Sequence, residues 1–434
     1  MPSGLPTAPD TEIGFQPPPT FRKSPYDLKS GGKYPKNLIG LTPFPITGGG
    51  EPPLIFNPII VVLTGYLEAV KPGALDEAVK AARTKIPDFM DKLHITDALS
   101  FLDFANDLLK WTPHENYYAK DIYDILCMFY YVIDQEPLSK LQTQIQPDQV
   151  GLPLTWLSSW VVVYAQLIGL FMDTPASITP DSIKSFQESP LYAYNDAEVP
   201  PGGFRTFNDF FSRKLKPGMR PIADPEDDRV IVYPADCTFD RSIPKDSIIN
   251  IESDGVVNIK GLEWTISSLL QGSQHAEKFH GGVWMHAFLN TFNYHRQHAP
   301  VSGEVIEVEN IQGAAYLEVT EDCKLVRNIC GPDAPGSPGY QFLQTRGLCV
   351  IDNPVLGLVA VLPIGMAQVS SVKMTARVGD KLKKGDEISY FQFGGSDVIC
   401  VFQPQAGLKV DDFVASPDGT YSKYGTVLAK APKK

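Results

Sequence analysis

The run Phe393-Gly394-Gly395-Ser396 closes a β-rich stretch near the end of the chain. A glycine before a serine removes the Cβ that would crowd an attack on the glycine carbonyl, and it permits backbone conformations closed to other residues. A serine hydroxyl becomes an effective nucleophile when a base takes its proton. The serine could then attack the preceding peptide bond to form an ester. β-Elimination of that ester would release the upstream chain as a carboxylate and leave a dehydroalanine-like residue, which hydrolyses to a pyruvoyl group with loss of ammonia.

Two upstream runs supply the residue types that this chemistry needs. The run Tyr294-His295-Arg296-Gln297-His298-Ala299-Pro300 offers two histidines, and Tyr233-Pro234-Ala235-Asp236-Cys237 offers a carboxylate. An imidazole serves best as a base when a carboxylate fixes its tautomer and steadies its charge. Alone, Asp236 is equally well a turn residue and Ser396 a plain hairpin serine.

With the further run 210–221 (FFSRKLKPGMRP), these motifs resemble the phosphatidylserine decarboxylase family in type and order, over roughly residues 204 to 434. The resemblance implies cleavage between Gly395 and Ser396. The products would be a β chain of residues 1–395 and an α chain, 396–434, that begins at a pyruvoyl group made from Ser396. It further implies a self-cleavage triad of Asp236, His298 and Ser396, with His295 near the reacting carbon of the substrate.

One departure from the family concerns the residue after the serine, which is commonly threonine and is here Asp397. The substitution adds a negative charge beside the cleavage site. We interpret it as bearing on the substrate, with slower maturation as the alternative.

Composition limits the class of protein. The chain has 434 residues, of which 43% are hydrophobic and 20% charged, and this is enough to bury a substantial core. The net charge of −12 argues against nucleic acid or a generally anionic membrane surface as the main partner. The six cysteines form no Cys-x-x-Cys pair and the N-terminus carries no signal-peptide pattern, so we expect free thiols and a cytoplasmic location.

Three segments differ in composition and in the spacing of their apolar residues, and together they predict an α+β fold. Residues 1–60 are rich in proline and glycine and indicate an extended arm, 61–200 indicate a helical N-terminal domain, and 201–434 indicate a mostly β catalytic domain. A packing or dimerising role is expected for the helical domain, so a homodimer is one expectation.

Helix-spaced apolar residues predict one helix around Leu75 to Met90, another from Leu99 to Leu109 after the N-cap Thr96, and a third over 119–134. The uncharged stretch 152–172 reaches the length of a membrane span, but its central polar residues and the absence of flanking cations favour a buried helix.

Short apolar runs with turns between them predict strands in the C-terminal half. The loop 330–339, which holds four prolines or glycines in its second half, is expected to form no regular ladder. The predicted strands are Val230–Tyr233, Ile248–Ile251, Val256–Ile259, Gly303–Val308, Tyr316–Val319, Leu348–Ile351, Leu356–Leu362 and Gln368–Met374.

Two rival interpretations stay open at this stage. The stretch 372–386 has a lysine, Lys373, followed by two Gly-Asp turns, a pattern typical of biotinyl and lipoyl carriers. A protein that binds ligand without chemistry is the other rival, because Asp397 is unusual. The pair His295-x-x-His298 lacks the further ligands of a zinc site, so no metal is expected.

The resemblance implies a lyase in which the pyruvoyl carbonyl takes up the electron pair released with carbon dioxide, in place of pyridoxal phosphate. His295 is the expected proton donor. The expected substrate is a free L-amino acid, aromatic in kind, with phosphatidylserine as the alternative and membrane contact as a lesser expectation. His286, Phe288 and Phe292 are the predicted substrate-binding residues.

Overall fold

The computed structural model describes residues 56–239, 248–322, 330–334, 339–367, 371–393, 396–417 and 420–433. Most of the predicted arm, residues 1–55, therefore lies outside the described residues. Helices fill the first part of the described chain and strands the second, which confirms the predicted α+β class.

The helices between residues 58 and 211 bury their apolar faces in one shared core, whereas the short helix Ile266–Leu269 packs in a second one. Their bounds are α1 Pro58–Val70, α2 Ala74–Lys85, α3 Pro87–Lys92, α4 Ala98–Leu108, α5 Asp121–Ile133, α6 Trp156–Met172, α7 Pro180–Glu188, α8 Phe207–Phe211 and α9 Ile266–Leu269.

Helix boundaries correct the sequence prediction at two places. The periodic stretch from Leu75 to Met90 is two helices, because Ile86 leaves the helical region and Pro87 starts α3 at a position where its missing N–H costs nothing. The N-cap of α4 is Asp97 and not Thr96, because the Asp97 carboxylate accepts a hydrogen bond from the Ser100 amide at 2.9 Å.

The uncharged stretch forms α6, which buries Leu157, Val161 and Tyr164 but exposes Val163 and Leu170. Within the described ranges, no single helix has both the length and the apolar character to cross a membrane. Helices α1 and α2 pass that test only as a pair bent by 100°.

The strands are mostly short, and several of the predicted ones are confirmed. Their bounds are β1 Val230–Val232, β2 Ile248–Asn250, β3 Val256–Ile259, β4 Leu262–Thr265, β5 Val283–Leu289, β6 Arg296–His298, β7 Gly303–Ile311, β8 Thr320–Asp322, β9 Gly331–Asp333, β10 Arg346–Asn353, β11 Gly357–Gly365, β12 Val372–Met374, β13 Lys381–Leu382, β14 Glu387–Phe391, β15 Ser396–Phe402 and β16 Val427–Lys430.

The main sheet has seven antiparallel strands in the order β13-β7-β10-β11-β15-β5-β2. Alternate residues of β15 face two different cores: Val398 packs in the large core shared with the helices, and Ile399 in a second core with α9. Both faces of the sheet are therefore covered, and β15, which begins at Ser396, lies inside it.

Two predictions about irregular segments are wrong. Tyr316–Val319 forms no strand in the structure, because its backbone is satisfied by side chains: the Tyr316 amide donates to Gln344 Oε1 and the Val319 amide to Asp134 Oδ2. Conversely, Gly331–Asp333 does pair, as β9 with β8. A proline is tolerated there because in a two-stranded ladder its missing N–H can face away from the partner strand.

The cysteines bear out the expectation of free thiols at four positions. Cys127, Cys237, Cys349 and Cys400 are buried and form no disulfide. The expectation is wrong for Cys330, which is disulfide-bonded.

Candidate active site

Ser396 is the first residue of β15 and lies between two neighbouring strands. It is paired with Leu289 of β5 on one side and with Gly365 of β11 on the other. Its side chain is buried, and its Oγ has no hydrogen-bond partner among the described residues. Gly394 and Gly395, and with them the predicted scissile bond, lie outside the described residues. The structure thus holds a buried, uncommitted hydroxyl on an ordered strand.

His298 lies on β6, and both of its ring nitrogens are engaged. A carbonyl can only accept, so Nδ1 carries the hydrogen and donates to Gly385 O at 2.8 Å. Nε2 is then an acceptor, and the Tyr294 hydroxyl donates to it at 3.0 Å. Burial lowers the pKa of His298 to about 4. The ring is therefore neutral near pH 7, which is the form that can take a proton.

Asp236 is buried and held by a guanidinium. Arg220 Nε donates to Oδ1 at 3.0 Å, and Arg220 Nη2 donates to Oδ2 at 2.5 Å. The Tyr424 amide donates to Oδ1 at 2.9 Å, while the Tyr424 ring stacks on His298 with centroids 3.8 Å apart. Tyr424 thus links the two predicted triad members.

Within the part of the chain that is described, no hydrogen bond joins Asp236 to His298 or His298 to Ser396. A carboxylate was expected to fix the tautomer of the His298 imidazole, but in the structure the Gly385 carbonyl does so. In the structure the negative charge of Asp236 is instead balanced by Arg220.

His295 is fully buried, and its ring stacks on Phe211 at 3.8 Å. Neither ring nitrogen has a hydrogen-bond partner among the described side chains. Burial and the nearby Arg213 guanidinium lower the pKa of His295 well below its usual range. Its backbone carbonyl accepts from the Phe391 amide at 2.9 Å, which places it beside the chain that leads to the cleavage run. Because this ring is neutral, its predicted role as a proton donor requires a proton supplied from another group.

A cavity of about 250 Å³ contains both Ser396 and Asp397 in its wall. Because these neighbours point to opposite faces of β15, the cavity reaches around the start of the strand. None of its described lining residues is a lysine or arginine. The apolar and aromatic wall is formed by Tyr123, Leu126, Phe288, Leu289, Leu317, Tyr340 and Met366.

The three predicted substrate-binding residues lie in different places. Phe288 lines the cavity. His286 is not among the lining residues, and its Nε2 lies 3.1 Å from Asp397 Oδ2. Phe292 is also absent from the described wall, and its ring contacts Tyr192 and Tyr421 instead.

Asp397 is fully buried within a polar cluster. Its Oδ2 accepts a hydrogen bond of 2.7 Å from the Tyr340 hydroxyl, and His286 lies on the same oxygen. Gln341 Nε2 lies 3.1 Å from His286 Nε2, and Gln341 Oε1 accepts from the Gly339 amide. The departure noted in the sequence is therefore an anchored side chain and not a loose surface charge.

Sequence reasoning assigned no role to Tyr294, Arg220, Tyr340, Gly385 and Tyr424. Two of them lie inside motifs that the sequence analysis used: Tyr294 opens the double-histidine run, and Arg220 belongs to the motif 210–221. Gly385 belongs to the second Gly-Asp turn that suggested a carrier domain, whereas the lysine of that pattern, Lys373, lies inside β12 opposite Tyr390. Among the described residues there is no group of three or more His, Cys, Asp or Glu that could hold a metal ion.

Comparison with known proteins finds a family match over residues 207–429, described as phosphatidylserine decarboxylase. The chain is 34% identical over 236 residues to phosphatidylserine decarboxylase proenzyme 3 of Schizosaccharomyces pombe, which covers 54% of this chain but only 22% of that relative. It is 28% identical to decarboxylase iboD of Amanita muscaria, covering 58% of this chain and 73% of the relative. It is 30% identical to the phosphatidylserine decarboxylase proenzyme of Ruminiclostridium cellulolyticum, covering 58% and 76%.

Proposed function

The chain belongs to the phosphatidylserine decarboxylase family, and on that premise we propose that it cuts itself between Gly395 and Ser396 and then decarboxylates a free L-amino acid, aromatic in kind, to its amine. Members of this family are carboxy-lyases that use a pyruvoyl group derived from serine by autocleavage. Ser396 is our candidate for that serine.

The observation that carries the substrate proposal is the cavity at Ser396. Its volume of about 250 Å³ is smaller than that of most ligand pockets, for which roughly 300–1,000 Å³ is usual. Aromatic and aliphatic side chains such as Phe288 and Met366 suit an apolar ring. A phosphodiester would meet no lysine or arginine among the described lining residues. These features favour a single aromatic amino acid over a phospholipid head group.

The residues at the site fit a pyruvoyl group at position 396. The Ser396 Oγ is buried and has no hydrogen-bond partner among the described residues, and the residue lies in the cavity wall. When formed, the group supplies a carbonyl that accepts the electron pair released with carbon dioxide.

His298 is proposed as the base for self-cleavage because its Nε2 is a neutral acceptor. Tyr294 occupies that nitrogen in the structure, so its hydroxyl must yield to the Ser396 Oγ or pass the proton on. Asp236 supports the arrangement through Tyr424.

A second candidate is decarboxylation of phosphatidylserine itself. Two of the relatives described above carry that name, whereas decarboxylase iboD does not. An opening through which the head group of a membrane lipid could enter the cavity would favour this second candidate.

The proposal is tested by intact mass followed by a substrate panel. We expect the purified chain to show a fragment of 39 residues, 396–434, and the Ser396→Ala variant to stay at full length. The cut enzyme should release carbon dioxide from L-tryptophan, L-phenylalanine or L-tyrosine without detergent. Activity confined to phosphatidylserine in micelles would establish the second candidate. A wild-type chain that stays whole, with no activity, would make it a binding protein, and an added biotin or lipoate mass would make it a carrier.

A further inference from the structure

After cleavage, position 396 loses its covalent connection on one side. In the uncut chain it is held by both neighbouring peptide bonds, whereas in the cut chain only the bond to Asp397 remains. The strand pairs with Leu289 and Gly365 are at the very end of β15, where strand ends fray. A reacting group at this end needs another restraint, since a misplacement of about 1 Å can cost roughly 10²-fold in rate.

The side chain of Asp397 is placed to supply that restraint. It projects to the face of β15 opposite Ser396, and none of its surface is exposed. The Tyr340 hydroxyl donates to Oδ2 at 2.7 Å. His286 Nε2 lies 3.1 Å from the same oxygen.

The partners of Asp397 are themselves fixed to the body of the protein. His286 belongs to β5, whose residues are almost all buried, and Tyr340 begins a short 3₁₀ turn, Tyr340–Phe342, that is buried throughout. With the Nε2 hydrogen of His286 directed to Asp397, that nitrogen cannot also accept from Gln341 Nε2, so Gln341 is held by the Gly339 amide, which donates to its Oε1. The carboxylate is therefore tied to two rigid elements and not to a loop that could follow it.

We propose that Asp397 is a positioning residue that holds position 396 in register with the cavity once the chain has been cut. Its carboxylate anchors the new end of β15 to Tyr340, which also lines the cavity, and to His286 of β5. The inference rests on the proposed function, because it requires a cut at Gly395–Ser396. Catalysis should depend on this anchor more than substrate binding does, because the anchor controls the geometry of the reacting group.

The first test measures backbone mobility and needs no substrate. Amide hydrogen exchange over residues 397–400 is followed by mass spectrometry in Asp397→Asn, both in the self-cleaving chain and in the uncut Ser396→Ala background. We expect exchange to rise by about tenfold or more in the cut protein and by less than about twofold in the uncut one. A purely structural role would raise exchange equally in both, and that result would overturn the proposal.

The second test is a double-mutant cycle on the cut enzyme. Asp397→Asn and Tyr340→Phe should each lower kcat about tenfold, and the double variant should be no worse than about tenfold because both remove one interaction. A multiplicative loss of about a hundredfold, or wild-type kcat in Asp397→Asn, contradicts the proposal. So does an Asp397→Asn chain that is no longer cut.

Asp352→Asn is the matched control, since Asp352 lies on β10 of the same sheet and is exposed. It should change neither exchange over 397–400 nor kcat. Titration of the pyruvoyl carbonyl with phenylhydrazine counts the pyruvoyl groups in each variant, and kcat is expressed per pyruvoyl group. If the proposed function itself is wrong, the wild-type chain will remain 434 residues long by intact mass, and this outcome is distinct from every outcome of the two tests.

Discussion

The tautomer of His298 is set by a backbone carbonyl and not by a carboxylate. Gly385 O accepts a hydrogen bond from His298 Nδ1, whereas Asp236 forms an ion pair with Arg220. The peptide carbonyl fixes the orientation of the ring. Burial lowers the pKa of His298, and the hydrogen bond to Gly385 O opposes that shift only in part.

This pKa leads to a prediction for self-cleavage. The group acts as a base only when unprotonated, and burial lowers its pKa to about 4, so the neutral form persists as pH falls. The cleavage rate of freshly translated chain, followed on denaturing gels, should stay flat from pH 8 to about pH 5.5 and fall about tenfold per pH unit below about 4. A midpoint near the ordinary value of about 6.5 would contradict the prediction. His298→Gln should remove the cleavage.

The sequence named candidate residues for the site but not the groups that these residues contact. Ser396, His298 and Asp236 could be named because their motifs occur in a fixed order. The bond from His298 to Gly385 joins residues 87 apart in the sequence, and no local pattern encodes it. The same holds for Asp397, whose partner Tyr340 is 57 residues away.

At the level of elements, the cleavage run is held against the helices by one aromatic ring. The Phe393 side chain is buried, and its ring contacts Trp111, Phe207 and Phe211 with centroids 5.2 to 5.7 Å apart. Its amide donates to Asn208 Oδ1 at 2.8 Å. Helix α8 thereby fixes the chain just before Gly394.

We expect Phe393→Ala to lower the free energy of unfolding by about 3–5 kcal/mol, because it removes a large buried ring and leaves a cavity. Self-cleavage should slow as well, since the run loses its anchor. Urea unfolding and gel analysis measure the two effects. Leu170→Ala is the control: its side chain is 65% exposed, so a change within about 0.5 kcal/mol is expected. Equal effects of both substitutions would refute this account of Phe393.

Strands that the sequence did not mark include β5, β14 and β15, which carry or border the site. Both faces of β15 are buried, so its residues read as the continuous apolar run Val398 to Phe402 without the alternation of a half-exposed strand. The predicted strands had clearer turns on either side, as in Gly303–Val308. Because β15 is buried on both faces, it lacks the alternating pattern by which a strand is recognised in a sequence.

For the whole molecule, the helical region and one face of the main sheet share a single hydrophobic core. Residues from α5 such as Cys127 and Leu126 belong to the same cluster as Leu289 of β5, and they meet at the cavity. The Tyr130 hydroxyl donates to Ala315 O across this boundary. The helices therefore form one wall of the candidate active site.

The interleaving of strands predicts that the two proposed chains stay together after cleavage. β15 lies between β11 and β5, and β16 pairs with β1, so the 39-residue α chain contributes to two sheets. Gel filtration of cut protein should give one peak with both chains, which separate only in strong denaturant such as roughly 6 M guanidinium. An α chain that elutes alone in buffer would contradict this arrangement.

The sequence by itself determined the family and the α+β class and predicted the position of the cleavage run, because these depend on local residue order and on apolar spacing along one segment. The tertiary structure decided which groups face Ser396, which carbonyl orients His298 and what holds Asp397. Those are contacts between segments far apart in the chain, and their hydrogen bonds depend on how the sheet brings β5, β11 and β15 side by side. Periodicity records which residues are buried, whereas only the folded chain determines which buried groups meet.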